Sequence, residues 1–279
     1  SESGIDFTNT VINQKDFNIF KYRNYYKGGG VAIGDINNDS LPDIYFTSNT
    51  GNNKLYLNNG DLEFIDISSK AGVEGDKPWS TGVVMVDINH DGFLDIYVSN
   101  AGNMEGDNHD NDLYINNGDL TFTESAENYN IAKTGFTTHS SFFDYDKDGD
   151  LDLYILNNSN IPVTSLGYSE QRDLRAQDWK NVPKIFRGVG DMLLRNDNGR
   201  FIDVSEKAGI YGSLIGFGLG VMTSDINMDG YPDIYVSNDF YERDYLYINN
   251  QDGTFTEQIQ NWTSHLSLSA MGVDIADIN

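Results

Sequence analysis

The sequence predicts an all-β fold of repeated four-stranded antiparallel blades, and three observations predict it. A nine-residue acidic motif recurs along the chain. Each copy is embedded in the same succession of short β-type runs. The copies fall at the spacing of one blade. The motif reads Asp35-Ile-Asn-Asn-Asp-Ser-Leu-Pro-Asp43, Asp87-Ile-Asn-His-Asp-Gly-Phe-Leu-Asp95, Asp144-Tyr-Asp-Lys-Asp-Gly-Asp-Leu-Asp152 and Asp225-Ile-Asn-Met-Asp-Gly-Tyr-Pro-Asp233, and a fifth copy opens at Asp277-Ile-Asn279. The first aspartates are 52, 57, 81 and 52 residues apart. Four short strands per unit at this period are the mark of a β-propeller, and a parallel β-helix would need far shorter rungs.

The elements follow in order. In blade 1 (residues 28–72) the runs at 28–36, 43–47, 54–60 and 62–66 are rich in β-branched and aromatic residues, with Asn-Gly or acidic turns between them. Blade 2 (80–132) repeats them at 81–88, 95–99, 112–118 and 120–124. Blade 3 (136–209) has them at 136–145, 152–156, 192–196 and 200–203, with an insertion at 157–190. Blade 4 (216–262) has them at 216–226, 233–237, 245–250 and 253–257. The run at 269–278 reads as the first strand of a fifth blade (268–279). Residues 4–12 carry a fourth-strand pattern with no first three strands before them, as expected for the outer strand that closes a ring. The whole chain, 1–279, is thus expected to be one propeller domain, incomplete at its C-terminal side.

Composition narrows the function classes. The 279 residues include 43 acidic and 18 basic ones, a formal net charge of −25, and no cysteine. The charge argues against nucleic acid, which needs a basic footprint, and against docking on an anionic membrane. Disulfides, thiolate metal sites and thiol nucleophiles are excluded. No apolar run approaches the roughly 18 residues of a membrane span.

The acidic motif supplies alternating oxygen donors on a tightly turning backbone, a hard-ligand set that suits Ca²⁺ better than the smaller, strictly octahedral Mg²⁺. Expected ligands are Asp35, Asn37, Asp39 and Asp43 in the first loop, Asp87, Asn89, Asp91 and Asp95 in the second, and Asp144, Asp146, Asp148 and Asp152 in the third. The fourth loop offers Asp225, Asn227, Asp229 and Asp233, and Asp277 and Asn279 begin the fifth. At the seventh position the backbone carbonyl of Leu41, Phe93, Asp150 or Tyr231 is expected to bind. An EF-hand would place Glu at position 12, where this chain has Phe46, Val98, Ile155 and Val236. Ser40 replaces glycine at position 6 of the first loop, a strained choice if that position needs positive φ. The loops are closed by their own ligands, whereas a catalytic metal needs an open position and an adjacent acid or base. About four structural Ca²⁺ ions are therefore expected. Weak extracellular-type sites would each add roughly 0.4–2 kcal/mol at millimolar Ca²⁺.

The Gly-rich strand leading into D-x-[DN]-x-D-G-x-x-D and then an apolar strand resembles the FG-GAP/VCBS repeat family, which includes integrin α-subunit propellers. The wording of "GGGVAIGDINNDSLPDIYF", "FFDYDKDGDLDLYILN" and "DYLYINNQDGTFTE" is similar to Bacteroidetes-type repeat proteins that carry an ASPIC/UnbV domain. The resemblance covers residues 4–279 and implies calcium loops, secretion or cell-surface or periplasmic placement, and about seven blades in the full protein. It leaves activity open, because the family mixes adhesins, carbohydrate-active enzymes and other proteins.

Strand alternation puts the long connections on the face opposite the calcium loops, and a protein or glycan ligand is expected there. Candidate contacts are Trp79 and His139, with Arg172, Arg175 and Trp179 from the insertion. There, residues 169–180 read as a short helix capped by Ser169. Two bland readings stand beside these: the basic residues pair with the chain's own acids, and Trp79 plugs the interior. The leading expectation is a secreted or surface binding and adhesion module. The alternatives are a carbohydrate-active enzyme of polysaccharide lyase or dehydratase type, and a scaffold for activity beyond residue 279. No nucleophile triad, phosphate loop or paired-carboxylate motif points to an enzyme.

Overall fold

The structure is a computed structural model and describes residues 3–102, 109–159, 172, 175, 188–212 and 214–276. The chain divides into two compact units, residues 1–135 and 136–279. Each unit holds two four-stranded antiparallel sheets whose strands follow chain order. In the first unit these are β1 (Val31–Gly34), β2 (Asp43–Phe46), β3 (Lys54–Asn58) and β4 (Phe64–Asp66), then β5 (Ser80–Val86), β6 (Asp95–Asn100), β7 (Asp112–Asn116) and β8 (Phe122–Glu124). The second unit repeats the pattern with β9 (Thr137–Phe143), β10 (Asp152–Asn157), β11 (Met192–Asn196) and β12 (Phe201–Asp203), then β13 (Gly218–Ser224), β14 (Asp233–Asn238), β15 (Tyr245–Asn249) and β16 (Phe255–Glu257). The fold is all-β, with four blades of the β-propeller type, and every one of the sixteen runs expected in blades 1 to 4 contains a strand.

Within a unit the blades pack face to face. Period-2 alternation along β2 and β3 sends Tyr45 and Leu55 into a core with Val83, Ile96, Val98 and Tyr114 of the next blade. In the second unit Tyr154, Leu156 and Leu193 meet Val221, Val236 and Tyr247 in the same way. Each such side chain contributes about 1.5–3 kcal/mol by leaving water. The first strands approach closely, which explains the glycines ahead of the acidic loops of blades 1, 2 and 4. A Cβ on Gly30 would lie 2.6 Å from the carbonyl oxygen of Thr81.

At the two ends no ladder forms among the described residues. Residues 4–12 form no strand. They cross the face of blade 1 that points away from blade 2, where Phe7 stacks on Phe46 at 4.8 Å and Asp6 accepts the Tyr56 hydroxyl at 2.9 Å. The run at 269–278 likewise forms no strand over its described part, which ends at residue 276. Ala270 donates to the Asn238 carbonyl at 3.0 Å, and Val273 packs against Gly220, with no ladder partner among the described residues. Short helical turns follow two of the fourth strands: α1 (Ser68–Ala71) and α2 (Ile259–Trp262).

The close approach at Gly30 makes a direct prediction. Gly30→Ala forces the two first strands apart and should lower stability by about 1–3 kcal/mol, read as a fall in the thermal unfolding midpoint with the far-UV spectrum unchanged.

Candidate functional site

Each acidic motif forms the turn between the first and second strands of its blade, and backbone geometry explains its residue choice. Position 6 has positive φ in all four loops: 70° at Ser40, 89° at Gly92, 98° at Gly149 and 91° at Gly230. Three of the four copies use glycine, which alone adopts this region freely, and Ser40 bears the strain. Position 4 is also left-handed, at Asn38, His90, Lys147 and Met228. The first aspartate holds the turn by accepting the amide of residue 6, at 2.7 Å for Ser40 and 2.9 Å for Gly92. Position 5 accepts the amide of position 7, as Asp39 does from Leu41 at 2.8 Å and Asp148 from Asp150 at 2.9 Å.

The ninth residue is the keystone. Asp43, Asp95, Asp152 and Asp233 are each 0 % exposed. One oxygen accepts the amide of the loop's second residue (Ile36, Ile88, Tyr145, Ile226) at 2.9–3.1 Å. The other accepts the amide of the asparagine that ends the third strand (Asn58, Asn116, Asn196, Asn249), at 2.8 Å in every blade. Burial still pushes all four carboxyls up, Asp95 to about 6 and Asp152 to about 7, with the neighbouring loop carboxylates adding to the push.

The third loop differs from the others. In loops 1, 2 and 4 the position-3 asparagine turns its amide onto the position-5 aspartate, at 2.9 Å from Asn37, Asn89 and Asn227. Loop 3 has Asp146 there and has no amide to donate. The Oδ1 atoms of Asp144 and Asp146 are buried without a hydrogen-bond partner. Ligand atoms of Asp144, Asp146 and Asp152 all lie within 4.8 Å of one another, close enough to share one cation. Asp150 turns outward and accepts the Asn198 amide at 3.0 Å through its carboxylate. Asp277 and Asn279 lie outside the described residues.

The opposite end of each sheet carries the second-to-third and fourth-to-first connections, because consecutive strands are antiparallel. In the first unit a recess of about 420 Å³ opens there, lined by Asn49, Thr50, Asn52, Asp76, Lys77 and Pro78 with Phe17 and Trp79 behind. Trp79 itself is 2 % exposed. Phe17, Tyr22 and Tyr25 crowd its ring at centroid distances of 4.9–5.4 Å, and its Nε1 donates to the Asn24 carbonyl at 3.0 Å. The stacking expectation for Trp79 is corrected: its faces are filled by the chain's own aromatics, and it anchors the segment before blade 1.

The basic candidates are also committed internally. Arg172 donates through Nε to Glu242 at 2.7 Å, and Glu242 is 2 % exposed. Arg175 is buried and donates to the Ile210 carbonyl. Neither side chain is free to dock an anionic ligand. Trp179 and the rest of the expected helix at 169–180 lie outside the described residues. His139 sits in β9 beside a bulge, five residues before the loop, where the other blades have Gly30, Gly82 and Gly220. Its Nδ1 is buried without a hydrogen-bond partner, and burial lowers its pKa, so the ring is neutral at pH 7.

Sequence reasoning missed a second polar tie at this end. The residue just before each third strand (Asn53, Asn111, Asp191, Asp244) accepts a backbone amide at or just past the end of the second strand, at 2.8–2.9 Å. It also meets the second-strand tyrosine: Asn111 donates to Tyr97, whereas Tyr154 and Tyr235 donate to Asp191 and Asp244, all at 2.9 Å. The signal was present as an Asn or Asp two residues before the third-strand leucine in each unit. Burial pushes Asp191 up to about 7, against the hydrogen bonds from Asn157 and Tyr154 and the Arg175 charge.

Two outcomes follow. Ser40→Gly relieves the left-handed strain and should raise stability by roughly 1 kcal/mol, read as a higher unfolding midpoint. Asp191 has a folded pKa above its unfolded value, so its protonated form favours the fold at low pH and that advantage fades as pH rises to about 7. Asp191→Asn should therefore match the wild type near pH 4 and unfold at a higher temperature at pH 8.

Cartilage acidic protein 1 of Xenopus tropicalis is 34% identical over 137 residues, 48% of this chain and 20% of its own length. The mouse protein of that name is 29% identical over 222 residues, 77% of this chain and 29% of its own, and the human one is 29% identical over 218 residues, 77% and 28%. The chain thus spans less than a third of the length of these relatives. A solved structure, titled for specific recognition of non-reducing terminal N-acetylglucosamine by an Agrocybe aegerita lectin, aligns over 83% of this chain and 52% of its own at 17% identity, with a TM-score of 0.42, too loose a match to bear on binding. The FG-GAP-like repeat matches residues 16–98, 101–155 and 225–279, which include all or part of every acidic loop. The chain belongs to the FG-GAP-like repeat family.

Proposed function

We propose that this protein is a calcium-stabilised propeller module that binds a protein or glycan ligand outside the cytoplasm, at a cell surface, in the extracellular space or in a periplasm. The observation that carries the calcium reading is the third loop, where two buried carboxylate oxygens have no partner beside a third buried carboxylate. Unpaired buried carboxylates are costly, and one divalent cation would satisfy them together. Asp144, Asp146, Asp148 and Asp152 would hold it with the Asp150 carbonyl. In the other loops the position-3 asparagine would release its amide contact and offer Oδ1. The ion supplies positive charge and cross-links the loop. Four divalent ions would also move the formal charge from −25 to −17.

The binding reading rests on the other end of the sheets. The recess there falls in the size range of small-ligand sites, and its rim of amide, hydroxyl and carboxylate groups suits a polyhydroxylated ligand or a polar peptide loop. The vertebrate relatives are named as acidic proteins of cartilage, and the present chain shares the acidic surplus.

Thermal unfolding with and without a chelator tests the calcium reading. Removal of calcium should lower the midpoint by several degrees, since each kcal/mol corresponds to about 2–4 °C in a chain of this size, and an unchanged midpoint would end it. For the ligand, a glycan array and a partner screen should give binding without new reducing or unsaturated ends. Asn52→Trp, which fills the recess from its exposed rim, should abolish that binding and leave the unfolding midpoint in place.

A further inference from the structure

The closing carboxylates of successive loops are joined, two by two, by a continuous chain of buried hydrogen bonds. In the first unit Asp43 Oδ2 accepts the Ile36 amide at 3.0 Å. The Ile36 carbonyl accepts Asn116 Nδ2 at 2.8 Å, and the Asn116 amide donates to Asp95 Oδ1 at 2.8 Å. Asp43, Ile36, Asn116 and Asp95 are at most 3 % exposed. The second unit repeats the route: Asp152 accepts the Tyr145 amide at 3.0 Å, the Tyr145 carbonyl accepts Asn249 Nδ2 at 2.9 Å, and the Asn249 amide reaches Asp233 at 2.8 Å. Further contacts tie the same pairs. Asn38 of loop 1 donates to the Gly92 carbonyl of loop 2 at 3.0 Å, and the Lys147 ammonium of loop 3 lies 5.0 Å from the Tyr231 ring centre of loop 4.

We propose that the calcium loops work as two coupled pairs, loops 1 with 2 and loops 3 with 4, with Asn116 and Asn249 as the coupling residues. The proposal rests on the calcium reading above. Fixing Asp95 fixes the Asn116 backbone, which aims its side-chain amide at Ile36 and so holds the peptide that positions Asp43. Ordering one loop therefore spares the second part of its ordering cost, and a spared ordering cost is positive cooperativity. Buried hydrogen bonds in series also polarise one another, which strengthens the link. Asn58 provides the internal comparison. It makes the same contacts within its own blade, to Asp43, Pro42 and Gly60, and its Nδ2 bond goes to Pro42 rather than to a neighbouring loop.

Native mass spectrometry of the whole chain, stripped of metal and titrated with calcium alone, tests the pairing by counting ions per molecule. Species with two and four ions should exceed those with one and three, with the second ion of a pair binding on the order of five-fold more tightly than the first. Asn116→Asp keeps the backbone amide and the side-chain acceptor but removes the Nδ2 donor, and it should restore independent binding in one pair. Asn58→Asp, with the same change of charge beside Asp43, changes the affinity of loop 1 alone and should keep the excess of two-ion and four-ion species. If Asn116→Asp does not fold, Asn116→Ser serves. Independent binding in the wild type, or equal effects of the two asparagine variants, overturns the pairing and leaves the calcium reading intact. Failure to retain any ion at millimolar calcium overturns both.

Discussion

One buried carboxylate per blade holds the architecture in place. Asp43, Asp95, Asp152 and Asp233 each fasten the acidic turn to the end of the third strand by accepting two backbone amides. Their burial is expensive, because two neutral donors do not replace the water shell of a full negative charge. The rest of the loop follows from that debt. The further acids, the left-handed sixth residue and the turn that aims the oxygens inward gather donors where a cation would balance the charge. The four asparagines that end the third strands complete the scheme by holding the loop backbone from behind.

The two ends of the sheets are consequently different kinds of surface. At the loop end the same hydrogen bonds recur in blade after blade, and there is little freedom for a side chain to do anything else. At the other end the Asn or Asp before the third strand recurs, as does the asparagine that ends the second strand in blades 2 to 4, while the connections vary in length and composition. The first unit uses that freedom to bury Trp79 among Phe17, Tyr22 and Tyr25 and leave a polar recess beside it. The second spends Arg172 on the buried Glu242. Rigidity at one end and variability at the other is the arrangement expected of a binding scaffold.

Much of this is legible in the sequence. Sixteen strands could be placed because each is short, flanked by turn residues, and repeated in the same order relative to an acidic marker. The expected strand at 269–278 found no ladder among the described residues, since a first strand needs a second beside it. The contribution of Asn58, Asn116, Asn196 and Asn249 was hidden because an Asn one to three residues ahead of Asn-Gly or Asp-Gly reads as an ordinary turn residue. Its carboxylate partner lies 15 to 44 residues earlier in the chain.

The sequence by itself determined the repeat, the strand order, the acidic loops and the exclusion of thiol chemistry, because these depend on local residue type at fixed spacing. Tertiary structure alone decided which side chains are spoken for. Trp79 reads as a sugar platform until three rings from residues 17 to 25 close over it. Arg172 reads as a docking cation until a glutamate 70 residues away takes its charge. The link between successive loops exists only once packing brings the Asn116 amide against the Ile36 carbonyl, 80 residues away along the chain. Spacing can announce a donor and an acceptor, but only the packed blades bring the two within hydrogen-bonding distance.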